Sequence, residues 1–208
     1  MREILTPLDD TTICSTFMGE QVCLTGKLFA ARDAAHKRLV ELINAGEKPP
    51  FDFNGQAVFY AGPVPAKPGK VIGPIGPTTS GRMDAYSPLL ISLGLKVMIG
   101  KGNRSREVVD GIVKHRGLYL AAIGGAAALM AKCVKSAKVI AFDDLGTEAL
   151  WELSVEKLPL VVAIDSKGIN IFSDDVKNGR KRKFNKHSRI IGFSCLLYCL
   201  VILLSVFI

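Results

Sequence analysis

Arg32, Arg82 and Lys101 are three cations set where the main chain can come close to a small ligand. Arg32 follows a predicted strand and a glycine turn, near the start of a predicted helix. Arg82 belongs to GPIGPTTSGRMDAY (73–86), a run with three glycines, two prolines, Thr78, Thr79 and Ser80. Lys101 comes just after a predicted strand, between Gly100 and Gly102. A guanidinium grips a carboxylate through two parallel N–H bonds. Glycine lets the backbone approach a ligand and donate its own N–H groups. Cations in such positions suit a small molecule with more than one negative charge. A plainer reading pairs Arg32 with Asp33 or Glu41 on the surface and leaves Lys101 solvated. Residue types alone leave both readings open.

Other chemistries fit less well. GKGNRS (100–105) lacks the G-x-x-x-x-G-K-[ST] spacing of a phosphate loop, and no G-x-G-x-x-G follows a strand. Cys14, Cys23, Cys133, Cys195 and Cys199 form no CxxC pair and no zinc pattern, so no metal ligand is expected in this chain. The N-terminus MREILTPLDD is charged and polar, without the apolar stretch of a signal peptide. A reducing, cytoplasmic setting is the expectation.

Net charge is +8, but seven Lys/Arg lie in KNGRKRKFNKHSR (177–189) with no acid after Val176, which leaves +1 for the rest. The body therefore has no strong electrostatic reason to bind nucleic acid. Residues 190–208, IIGFSCLLYCLVILLSVFI, are an uncharged apolar run. As a helix it would span about 28 Å, close to a hydrocarbon core of about 30 Å, with the basic 174–189 linker on its cytoplasmic side. It reads as a candidate transmembrane helix and membrane anchor. A non-native extension and a buried terminal helix are the competing readings.

The cations need a scaffold. EQVCLT (20–25) alternates like a strand, and Gly26 is expected to break it. Ala30 to Ala45 reads as a helix with an apolar face, ended by Gly46 and Pro49-Pro50. Residues 57–61 read as a buried strand, followed by a long Pro/Gly loop of the kind that carries function. Further helices are expected over 84–94, 105–115 and 124–134. Strands are expected over 96–100, 118–123, 138–142, 150–155 and 159–165. Strands alternating with short helices indicate an α/β sheet.

VCLTGKLFAARDAAHKRL (22–39), YAGPV (60–64), GPTTSGRMD (76–84), MIGKG (98–102), AIGGAAALMA (122–131) and LGTEALWELSVEKLPLVVAIDSKG (145–168) occur in this order. Together they make the chain resemble the β-subunit, or C-terminal domain, of the class I iron–sulfur fumarate hydratase and L(+)-tartrate dehydratase family. The resemblance covers roughly residues 3–173, and ARDAAHKR and GPTTSGRMD look more like its fumarase branch. It implies a swivelling β/β/α domain over 1–173; 174–208 has no counterpart. One departure is Thr147, where the pattern has methionine.

The resemblance also implies roles. Thr78 would be catalytic. Arg32, Arg82 and Lys101 would bind substrate, with Thr79, Ser80, Asp33 and His36 in support. Asp33 would brace Arg32 or the helix start; His36, Glu148 and Trp151 read as structural. The implied reaction interconverts (S)-malate and fumarate in a hetero-oligomer with an α-subunit. Tartrate or a related hydroxy-dicarboxylate is the alternative substrate, and a membrane-anchored, non-catalytic binding module the alternative of another kind. The implied cofactor is a [4Fe-4S] cluster ligated by the α-subunit, not by this chain, with an open iron acting as Lewis acid on the hydroxyl. Three cations would stabilise charge on the substrate carboxylates. Thr78 is a weak base alone and needs a carboxylate from the partner to take its proton.

Overall fold

Strand β2 (Gln21–Ala30) pairs with three others, because its length serves both flanks. On one flank it runs antiparallel to β7 (Leu150–Ile164), from Gln21 opposite Val161 to Ala30 opposite Trp151. On the other it pairs in parallel with β1 (Arg2–Thr6) and then, near its end, with β3 (Ala57–Phe59). Parallel pairing continues through β4 (Val97–Gly100) to β5 (Leu118–Ala121), and β5 returns antiparallel to β7. Strands β2, β3, β4, β5 and β7 thus close into a ring. Strand β6 (Val134–Ala141) extends it along the free half of β7. The structure, a computed structural model, describes residues 1–123 and 125–173.

Alternation along the strands divides the core in two. Leu24, Leu28, Phe59, Ile99, Leu120, Leu153 and Val162 share one cluster, which fills the ring. Phe29, Val58, Met98 and Tyr119 point the other way, against helices α2 (Asp33–Asn44), α3 (Ser87–Ser92) and α4 (Arg106–His115). Every residue of β4 and β5 is buried, as expected of strands covered on both faces. Two short helices, α1 (Asp10–Cys14) and α5 (Ala127–Cys133), add Ile13 and Met130 to the first cluster.

Helix signals behave as their chemistry requires. Ser105 caps α4 by accepting from the Val108 N–H, and Arg116 ends it in the left-handed conformation. Asp9 caps α1 through the Thr12 N–H at 2.7 Å.

The mixed α/β class agrees with the sequence, while several boundaries differ. Gly26 does not end the strand: β2 continues to Ala30, so α2 starts at Asp33 rather than at 30. Gly26 has φ of +121° at a register shift opposite β7, making a bulge rather than a break. The two strands expected over 150–155 and 159–165 are one strand. Lys157, with φ of 52°, takes up the extra residue, and its N–H donates to Thr25 Oγ1 at 3.0 Å. Helix 84–94 shrinks to α3 behind a single tight turn, Ser80–Met83. Helix 124–134 shrinks to α5, and strand 138–142 becomes the longer β6. Strand β1 and helix α1 lie where the sequence suggested no element. Among the described residues no helix is long and apolar enough to cross a membrane. The 174–189 linker and the apolar 190–208 run lie outside the described residues.

A side chain at position 26 has no room, since a Cβ would sit 2.5 Å from Thr6 Oγ1 and 3.0 Å from its carbonyl. Gly26→Ala should therefore destabilise the fold by about 2 kcal/mol, from crowding and the unfavourable φ together. The midpoint of urea unfolding reads this directly, and a midpoint matching wild type would contradict the bulge.

Candidate functional site

The predicted residues converge because three adjacent parallel strands end side by side. Strand β2 ends at Ala30, and Ala31 donates to the Phe59 carbonyl at 3.1 Å, which places Arg32 beside the end of β3. Strand β4 ends at Gly100, immediately before Lys101. The long Pro/Gly loop returns between them. Ala61 bridges Pro77, and the Thr78 N–H donates to the Tyr60 carbonyl at 2.7 Å. Lys101 N–H reaches the Thr78 carbonyl at 3.3 Å, and Ser80 N–H reaches the Lys101 carbonyl at 2.9 Å. Thr78, Thr79 and Ser80 thus extend the sheet by one short segment between β3 and β4. Carboxyl ends of parallel strands are where open α/β sheets present ligand sites.

Arg82 sits on the turn after Ser80, with Nη1 3.6 Å from Asp33 Oδ2. Arg32 places Nη2 3.1 Å from Glu148 Oε1. Among the described residues its Nε is buried without a partner, and so is Asp33 Oδ1. Lys101 is exposed and makes no ion pair among the described residues. Three cations against two carboxylates leave an excess positive charge. Arg82 is 54% exposed and Arg32 29%, so both can be reached from solvent.

Beneath this surface the supports are buried. Ser80 is fully buried, its Oγ 2.9 Å from the Tyr119 hydroxyl, which donates to the Gly102 carbonyl at 2.8 Å. Ser80 therefore braces the loop instead of facing a ligand. Gly100 has no room for a Cβ against Ser80 Oγ. Burial raises the Tyr119 phenol above its usual range, keeping it a neutral donor.

Arg104 and Asp84 are the supports that sequence reasoning missed. The Arg104 side chain is fully buried between the rings of Tyr60 and Tyr119, 5.1 Å from each centroid. Its Nε donates to Asp84 Oδ1 at 2.6 Å and Nη2 donates to Ser87 Oγ at 2.7 Å. The other oxygen of Asp84 accepts from the Ser105 N–H at 2.6 Å. Burial opposes the charge on Arg104, but Tyr60 and Asp84 outweigh it and hold its pKa above the ordinary value. The available signal was an arginine within GKGNRS, the failed phosphate-loop stretch, and an aspartate ending GPTTSGRMD.

His36 lies completely buried on α2, edge-on to Tyr60 at 5.2 Å. Its Nδ1–H donates to the Arg32 carbonyl at 2.9 Å, leaving Nε2 without a partner among the described residues. Burial pushes the imidazole down to about 4, and the Arg104 charge adds to this. It supports the helix start and does not face solvent. Asp33 braces Arg82 rather than Arg32, which pairs with Glu148.

No group of three or more His, Cys, Asp or Glu among the described residues could hold a metal ion. Cys14, Cys23 and Cys133 are free thiols. The described residues therefore do not fit an iron–sulfur cluster, and no chemical step is assigned to one on this chain. Cys195 and Cys199 lie outside the described residues.

A mixed α/β scaffold with cations and a threonine at adjacent strand ends agrees with the family signalled by the motifs. The family model for the Fumarase C-terminus matches residues 4–175, and the chain belongs to that family. It is 40% identical over 178 residues to "Fumarate hydratase class I, anaerobic" of Escherichia coli K12, covering 85% of this chain and 32% of that protein. It is 39% identical over 181 residues to "Putative L(+)-tartrate dehydratase subunit beta" of Methanocaldococcus jannaschii, covering 84% of this chain and 91% of that protein. For "L(+)-tartrate dehydratase subunit beta" of Escherichia coli K12 the identity is 34% over 190 residues, covering 88% and 92%. The chain thus spans about a third of the fumarate hydratase and nearly all of each tartrate dehydratase subunit. These relatives are hydro-lyases by name.

His36 gives a pH test of the buried support. Unfolded, the imidazole titrates near 6.5; folded, it titrates at about 4. Between those values the unfolded chain holds the extra proton, so stability falls as pH drops from about 6.5 toward 4. The loss attributable to His36 is on the order of 3 kcal/mol. Chemical unfolding across that window should show a smaller pH slope for His36→Phe than for wild type, whereas equal slopes would mean that His36 is not held neutral.

Proposed function

We propose that this chain is the β-subunit of a hydro-lyase of the class I fumarate hydratase type, interconverting (S)-malate and fumarate. The observation that carries this reading is the gathering of Arg32, Thr78 and Lys101 at the ends of β2, β3 and β4, with Arg82 tied to Asp33 beside them. A four-carbon diacid carries two carboxylates, and an excess of cations over acids is what holds it.

The reaction removes water across a C–C bond. The proton leaves a carbon next to a carboxylate, and negative charge builds on that carboxylate as the C–H bond breaks. Arg32, Arg82 and Lys101 bind the two carboxylates and stabilise that charge where it grows. A carboxylate from a partner subunit takes the Thr78 hydroxyl proton as Thr78 Oγ takes the proton from carbon, since a hydroxyl alone is too weak a base. Main-chain bonds from Tyr60 and Lys101 fix Thr78, while Ser80, Asp33 and His36 brace the surrounding segments. Thr79 is exposed beside them.

The family resemblance supplies the remaining parts. Residues 1–173 form the working unit, a swivelling β/β/α domain. A [4Fe-4S] cluster held by an α-subunit would supply Lewis-acid polarisation of the departing hydroxyl. Tartrate or a related hydroxy-dicarboxylate is the second reading. It is favoured by the two tartrate dehydratase β-subunits, which this chain matches over 91% and 92% of their length. Assaying fumarate hydration and tartrate dehydration with one purified pair separates the two.

The chain alone, shown free of iron, should hydrate no fumarate; turnover by such a preparation would overturn the two-subunit reading. In the assembled pair, Thr78→Ala should lower kcat by about 10²- to 10⁴-fold, the usual contribution of a positioned proton-transfer group. Thermal unfolding should stay near wild type, because the Thr78 contacts that order the loop are made by its main chain. Near-normal turnover would remove Thr78 from the mechanism.

A further inference from the structure

Glu148 is held more firmly than a surface carboxylate needs to be. It lies in the 142–149 connection between β6 and β7, and in the sequence it reads as structural. Its Oε1 is 3.1 Å from Arg32 Nη2, and its Oε2 accepts from the Ala34 N–H at 3.3 Å. Helix α2 opens on Arg32 with no side-chain cap of its own, so Glu148 satisfies a first-turn N–H from 114 residues away in sequence. The connection is stapled a second time. Arg38 donates two parallel bonds to Asp144, both at 2.6 Å. The facing glycine, Gly62, has no space for a Cβ, which would lie 2.5 Å from the Thr147 carbonyl and 3.0 Å from Arg32 Cδ. Arg32 is thereby gripped at its Nη2 end by the acid, and the absence of a side chain at Gly62 leaves room for its Cδ.

We infer that Glu148 is the positioning residue for Arg32, fixing its guanidinium so that the remaining N–H groups meet a substrate carboxylate. A planar donor fork works only when its plane is set, and an arginine side chain otherwise has many rotamers. Glu148 pairs with Arg32 at Nη2 and leaves Nε without a partner among the described residues, so it orients the group without using up its donors. Arg32 Nε, buried and without a partner among the described residues, shows that donor capacity remains. The paired charge also tempers Arg32, which keeps a dianionic product from being held too strongly. This inference rests on the hydro-lyase reading.

The test uses the assembled pair and steady-state fumarate hydration, with a double-mutant cycle. Glu148→Ala should raise KM for fumarate at least about tenfold, because oriented carboxylate binding is lost, and should lower kcat as Arg32 stabilises the growing charge less well. Glu148→Gln keeps one acceptor oxygen but turns an NH2 donor toward the other N–H group, so it should lie between wild type and Glu148→Ala. In an Arg32→Ala background, Glu148→Ala should add less than about threefold, since its effect runs through Arg32. A role confined to capping α2 would lower thermal stability while leaving KM unchanged in the folded pair. Unchanged KM, or effects that multiply in the cycle, overturns the inference. Should Glu148→Ala fail to assemble, Glu148→Asp keeps the charge but cannot reach both partners; its KM should still rise, and a wild-type KM overturns the inference. A wild-type pair inactive on fumarate, malate and tartrate overturns the hydro-lyase reading and this inference together. An active wild type with indifferent Glu148 variants removes this inference alone.

Discussion

The buried pair of Arg104 and Asp84 is the contact on which the arrangement of the strand ends depends. Asp84 follows the turn that carries Arg82, and Arg104 follows the segment that carries Lys101. One fully buried guanidinium therefore joins two loops that share no regular structure. A buried ion pair is expensive to desolvate, and breaking it by removing one partner typically costs about 3–5 kcal/mol. Here the remaining donors are used as well: Ser87 and the faces of Tyr60 and Tyr119 surround the same group. Tyr119 also touches Ser80 and Gly102, so this buried knot sits directly beneath the short segment Thr78–Ser80. Its value is in geometry: it sets where exposed side chains begin.

Division of labour follows from burial. Ser80, His36, Tyr119 and Arg104 are buried and satisfy or shield one another. Thr79, Arg82 and Lys101 are exposed, with Thr78 and Arg32 between. Adjacent residues in one motif thus do different things. In GPTTSGRMD, Thr78 is held by its main chain, Ser80 packs inward, Arg82 points to Asp33 and Asp84 anchors Arg104. Such density of use explains why the motif stands out in a sequence even before its geometry is known.

What could be read from the sequence was local. Apolar runs marked β4 and β5, and residues 105–115 read as the helix that became α4. The glycine-rich segment and its hydroxyls marked the site, and the ordered motifs marked the family that the Fumarase C-terminus match bears out. What could not be read was long-range. Ring closure depends on β2 meeting β7 across more than a hundred residues, and no periodicity carries that register. Gly26 looked like a terminator because a bulge and a break share the same residue. Lys157 gave no sign that β7 would pass through it, since a left-handed lysine has no local signature. Arg104 and Glu148 looked like ordinary charges because their partners, Asp84 and Arg32, lie 20 and 116 residues away in sequence.

Closing five strands into a ring also limits where another chain could add a strand. Among the described residues, only β1 and β6 keep a flank with unpaired main-chain groups. An open strand flank invites another chain to add to it, and inward or outlying charge discourages this. Strand β6 carries exposed Lys135 and Lys138, and β1 is five residues long and begins with Arg2 and Glu3. The strands whose ends carry the candidate site all belong to the ring, so intermolecular zippering would have to start at its least hospitable borders.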